Sequence, residues 1–147
     1  MTGKVVNRGI SPELFDNIVN NNARSPLYQL LKLNLLEVGP GSSRIHLKVE
    51  EQHINHWQTL HGGIIGIMVD AAMGAVVRSL GIRGVTIDRI THFLQPAHVG
   101  DHVVAEAHVV SAGRKVIIVD ASVFKNGGEQ IATARSTFYN TGRLLEE

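Results

Sequence analysis

The sequence predicts an α+β domain in which an antiparallel sheet wraps one long, apolar, central helix. Residues 61–80 carry too many consecutive apolar side chains for a strand and contain no turn chemistry, so they read as a helix apolar on nearly every face. The segments on either side alternate as strands bounded by glycine, proline and asparagine turns. An antiparallel sheet around an all-apolar helix is the simplest way to bury both.

Taken in order, Ser11-Pro12-Glu13 is a helix start: a hydroxyl cap, a proline at the first helical position and an acid at the positive end of the dipole. That helix runs through Leu14, Phe15, Ile18 and Val19 and fades at Asn20–Asn22. Ser25-Pro26 opens a second short turn. Residues 30–38 read as a strand closed by Gly39-Pro40-Gly41, and 43–50 as its hairpin partner, with Ile45, Leu47 and Val49 on one face. Residues 51–60 form a polar, histidine-bearing loop into the long helix, which Gly81 stops. Strands at 85–94, 102–110, 116–124 and 131–139 follow, the last two joined by Asn126-Gly127-Gly128, and they are expected to form a four-stranded meander.

The chain is 147 residues long, has no cysteine and carries a net charge of +1 with its charges interspersed. Disulfides, thiolate metal sites and a cysteine nucleophile are excluded, and nothing suggests a nucleic-acid or membrane-surface protein. The first ten residues lack the apolar core of a signal peptide, so a soluble, cytoplasmic protein is expected.

Chemistry concentrates on the long helix. Gly62, Gly66, Asp70 and Gly74 are spaced by four and share a stripe. An interior glycine costs about 1 kcal/mol relative to alanine, so Gly66 and Gly74 predict close approach of another backbone. Asp70 has no cation within helical reach; its neighbours are Gly66, Ile67, Met73 and Gly74. Such a carboxylate needs a polar cavity or a partner from elsewhere in the fold. An Asp70 locked in a salt bridge would suit a structural or binding role, and one at an open interface pocket an enzyme.

Asn55, Leu60-His61-Gly62-Gly63 and Asp70, with Gly84-Val85-Thr86-Ile87-Asp88, Pro96, Gly100-Asp101 and Gly113-Arg114-Lys115 further on, resemble the hotdog-fold acyl-CoA thioesterases, in particular their phenylacetate-pathway (PaaI-like) branch. The resemblance spans about residues 30–140; the chain, 1–147, is read as a single hotdog domain with 1–29 an N-terminal helical extension. One departure is Gln58, where the family commonly has glycine.

The resemblance implies hydrolysis of an acyl-CoA thioester with no metal or organic cofactor, at sites between two subunits. It implies Gly62 or Gly63 N–H as the donor to the thioester oxygen, Asp70 as general base or nucleophile, Asn55 orienting the carbonyl or water, and Thr86 holding the water or Asp70. His61 would fix the helix entry. Arg114 and Lys115 are candidates to meet the CoA phosphates. Gly62 and Asp70 are eight residues apart, about 12 Å along a helix, so they cannot both act on one carbonyl within a chain. A dimer, with a dimer of dimers as a further step, is therefore expected, with antiparallel helices bringing Asp70 of one chain to the Gly62 end of the other.

His53, His56 and His61 lack the ligand set of a metal site, and loop histidines are expected to be solvated. Trp57, Met68 and Met73 are read as packing residues. Two alternatives stand: a non-catalytic acyl-CoA-binding module, and a hotdog hydratase or dehydratase. The hydratase branch would want histidine five residues after Asp70, where this chain has Ala75.

Overall fold

A computed structural model describes residues 3–145. Ser11 caps α1 (Pro12–Arg24) by accepting from the Leu14 N–H, and Ser25 caps α2 (Pro26–Leu31) in the same way through Tyr28. Both helices have proline where its missing N–H costs nothing. The strands are β1 (Val6–Asn7), β2 (Asn34–Gly39), β3 (Ser42–Lys48), β4 (Ile82–Phe93), β5 (His102–Ala112), β6 (Val116–Lys125) and β7 (Glu129–Arg143). The long helix is α3 (Gly62–Ser79).

The seven strands form one sheet in the order β1-β2-β3-β5-β6-β7-β4, antiparallel except for the short β1–β2 pair. The fold is the hotdog fold, a sheet curled about α3. By length and composition α3 could cross a membrane, but here it is packed inside the sheet, with Met68, Val69, Ala72, Met73 and Val76 fully buried. The opposing face is built from Ile45, Leu47, Val103, Ala105, Ile117, Val119 and Val123.

Four local expectations are corrected. Leu30 and Leu31 belong to α2, because Lys32 takes the left-handed conformation (φ 60°) that ends the helix, and the strand starts at Asn34. The last four strands are not a simple meander: β4 pairs with β7 at the far edge, leaving β5 to pair with β3. Alternation reveals that a segment is a strand, not which neighbour it chooses. Trp57 is 74% exposed, its ring tilted against that of His56, and it is not part of the core. His53, by contrast, is wholly buried: its Nδ1 accepts from the Glu50 N–H and its Nε2–H donates to the Leu31 carbonyl.

Among the described residues of one chain, nothing closes on Gly66, and a tight contact with α3 comes from a strand glycine. A Cβ at Gly84, on β4, would stand 2.9 Å from Val77, whereas one at Gly66 would meet nothing within 4 Å. The missing side chain at Gly84 is what lets β4 lie against Val77 of α3. Gly63, Gly66, Ile67, Asp70, Gly74 and Arg78 remain as an incompletely covered stripe along α3.

Candidate active site

The site begins with the loop that leads into α3. An antiparallel bridge between Ile54 and Leu60 pinches it shut. Inside, Asn55 Oδ1 accepts from the Trp57 N–H at 3.0 Å and from the Thr59 N–H and hydroxyl, both at 3.2 Å. Gln58 closes the turn through the Asn55 carbonyl with φ at +63°. That left-handed conformation is why glycine suits the position, and here glutamine adopts it. Asn55 is thus anchored by its oxygen, and no described residue accepts from its Nδ2.

His61 is the N-cap of α3: its Nδ1 accepts from the Gly63 N–H at 2.8 Å. A Cβ at Gly63 would stand 3.0 Å from that nitrogen, so glycine makes room for the cap. The cap spends the Gly63 N–H. Among the described residues nothing accepts from the Gly62 N–H, which sits at the positive end of the helix dipole. Gly62 lies beside the Phe93 ring, in a small cleft with Leu60, Leu94 and Pro96.

Asp70 stands two turns further along α3. Its Oδ1 accepts from Arg89 Nη1 at 2.9 Å, with the aspartate side chain 47% exposed and the arginine 24%. The cation that pairs with Asp70 comes from β4. The pairing depends on a β-bulge: Thr86 pairs with Phe138 and Asp88 with Thr137, so Ile87 is extra. Gly84 packs against α3, and simple alternation from it would place Thr86 and then Asp88 on the helix side. The bulge shifts the parity and presents Arg89 instead.

Two open clefts meet at Asp70. One, of about 650 Å³, runs past Gly63, Gly66 and Ile67 to Leu27 and Tyr28. The other, of about 380 Å³, runs past Gly74, Val77, Arg83 and Thr86 to Phe138 and Leu144. Tyr28 and Arg78 line both. Burial, with the Asp70 charge adding to it, pushes the Tyr28 phenol above its ordinary value. Burial pulls the Arg78 guanidinium below its ordinary value, opposed by Tyr28 and Asp70. Tyr28, Arg78, Arg83 and Arg89 carry no sequence signal as site residues, because nothing in the linear order brings α2 and β4 to one stripe of α3.

Within one chain the expected residues do not converge. Thr86 shares a cleft with Asp70 but makes no hydrogen bond to it. Gly62 and Asp70 open onto different clefts. Arg114 and Lys115 occupy the exposed β5–β6 turn, where Lys115 lies 5.9 Å from the Tyr139 ring centroid, and they line neither Asp70 cleft. Among the described residues no cluster of three His, Asp or Glu side chains could hold a metal ion.

Comparison with known proteins gives consistent matches. The family model described as the thioesterase superfamily matches residues 58–132. Acyl-coenzyme A thioesterase 13 of Mus musculus is 32% identical over 111 residues, covering 74% of this chain and 79% of its own. The Escherichia coli PaaI protein superposes with a TM-score of 0.86 at 21% identity, over 92% of this chain and 98% of its own. A Streptococcus pneumoniae protein described as a hypothetical thioesterase, solved with coenzyme A, superposes with a TM-score of 0.73 at 25% identity, over 76% of this chain and 87% of its own.

Proposed function

Because the chain belongs to the thioesterase superfamily and is thereby a thioester hydrolase, we propose that its substrates are acyl-CoA thioesters, cleaved to free acid and CoA in a site shared by two subunits. The observation that carries this reading is Asp70: a half-exposed carboxylate at the junction of two open clefts, on a stripe of α3 left uncovered by the fold. The acyl-CoA thioesterase among the relatives and the coenzyme A in the Streptococcus pneumoniae structure support the substrate class.

The thioester oxygen accepts from the Gly62 N–H of one chain, the donor left over once His61 has taken Gly63. Negative charge developing on that oxygen is stabilised by the helix dipole. Asp70 of the other chain, with Arg89 fixing one carboxylate oxygen, uses its second oxygen as base toward water or as nucleophile toward the carbonyl. As base, Asp70 takes a proton from water, the hydroxide adds to the carbonyl, the C–S bond breaks and the thiolate receives that proton. As nucleophile, Asp70 displaces the thiolate to form an acyl anhydride, which water hydrolyses to the free acid and the carboxylate, the water's proton going to the thiolate. Asn55 Nδ2, free because its oxygen is anchored in the loop, orients the carbonyl or the water.

The shared site is supported by two features besides the separation of Gly62 and Asp70. The stripe beside Asp70 is open at Gly66, so a second helix can come close. On β4, Val85, Ile87, Ile90 and Phe93 are exposed along an unpaired sheet edge, an arrangement that single chains avoid. A cytoplasmic location goes with this reading.

The Asp70–Arg89 ion pair favours a second reading, a non-catalytic acyl-CoA-binding module in which the carboxylate is structural. Release of free thiol from a panel of acyl-CoAs, with Asp70→Asn beside the wild type, separates the two; without cysteine the protein adds no thiol of its own. Hydrolysis predicts turnover that Asp70→Asn reduces at least about a hundredfold while acyl-CoA still binds. Binding without turnover in both proteins would leave only the module.

A further inference from the structure

The cleft on the Gly74 side of Asp70 has a composition that plain thioester hydrolysis does not require. Its walls include Val77, Phe138 and Leu144, suited to methylene groups, yet two guanidinium groups, Arg78 and Arg83, also line it. The Asp70 charge is already matched by Arg89, and no described carboxylate pairs with either Arg78 or Arg83. The Arg78 side chain folds back along α3, its Nε donating to the Gly74 carbonyl at 3.2 Å. Its Nη2 lies 3.4 Å from where a Gly74 Cβ would be, so glycine is what lets the guanidinium lie flat against the helix. Neither Nη of Arg78 has an acceptor among the described residues.

Resting on the reading that the thioester carbonyl sits at Asp70, we propose that the preferred acyl group is an ω-carboxyacyl group, the half-thioester of a short dicarboxylic acid. Its distal carboxylate lies against Arg78, with Arg83 at the cleft wall. Arg78 covers Gly74, one helical turn from Asp70, an axial distance of about 6 Å. A chain of a few methylenes, such as glutaryl, is of that length, and Val77 and Phe138 flank its path. Half-burial makes the guanidinium a strong carboxylate partner, because little water competes for its Nη donors. The phosphates of CoA are a poorer fit: the pantetheine arm holds them far from the thioester, whereas the Arg78 guanidinium folds back to within one turn of Asp70.

The test compares glutaryl-CoA with pentanoyl-CoA, which share a chain length and differ in the distal carboxylate. Wild type is expected to favour glutaryl-CoA in kcat/KM by about tenfold or more, mostly through KM. Arg78→Met is expected to erase that ratio, and Arg78→Lys to restore part of it. Arg83→Met, a change at the cleft wall, is expected to reduce the ratio and serves should Arg78→Met not fold. Equal or better hydrolysis of pentanoyl-CoA by wild type overturns the inference and leaves the hydrolase intact. So does an equal rise in KM for both substrates in Arg78→Met, the mark of a phosphate contact. Hydrolysis of neither, with other acyl-CoAs turned over, also overturns it. No turnover of any thioester would remove the hydrolase reading and this one with it.

Discussion

Asp70 and Arg89 are nineteen positions apart in sequence and 2.9 Å apart in the fold. Nothing in periodicity foretells that contact, because it depends on one extra residue at Ile87 changing which side chains of β4 face the helix. Gln58 teaches the converse: the departure from the family's glycine is legible, and the structure supplies its meaning as a left-handed φ of +63°. A side chain there costs about 1–2 kcal/mol, offset in part by the greater entropy that glycine loses on folding. Gln58→Gly is therefore expected to raise the unfolding free energy by about 0.5–1 kcal/mol in chemical denaturation, with Asn55 keeping its hydrogen bonds. A loss of stability would mean that the glutamine side chain makes compensating contacts.

Among the elements, α3 and the β2–β3 hairpin were readable because strong local signals coincide with strong burial: Ile45, Leu47 and Val49 do form the buried face, and Met68 and Met73 are core. Asn126 and Gly127 take the positive φ values of 53° and 73° that their turn demands. Order in the sheet was less readable, since β4 reaches its edge position by pairing with a strand that follows it by about forty residues. The glycines of α3 predict close approach of another backbone, and the single chain leaves that place open at Gly66. That leaves a prediction at this scale. With open space around Gly66 in the single chain, Gly66→Ala would add about 1 kcal/mol of stability through helix propensity alone. Against a closely packed partner helix the same methyl group clashes. The shared-site account predicts a weaker dimer, seen as a raised dissociation constant in sedimentation. Added stability with no change in association would place the stripe in solvent.

For the whole molecule, the family and the fold follow from the similarity to known thioesterases, and the chemistry turns on whether two chains complete one site. Gly62 and Asp70 open onto separate clefts of each chain, so the proposed donor and the proposed carboxylate would have to come from different chains to meet at one carbonyl. Subunit complementation tests this most directly. Gly62→Pro removes the N–H at the first position of α3, where proline is well tolerated, and His61, with φ −60° and ψ 132°, already has the backbone that a following proline requires. Asp70→Asn removes the carboxylate. Each variant alone is expected to be inactive. After the two are unfolded together and refolded, half of the dimers are mixed, and each mixed dimer holds one site with both groups intact. The shared-site account predicts recovery of about a quarter of wild-type turnover. No recovery from mixed dimers shown to have formed would contradict it and place the whole reaction within a single chain.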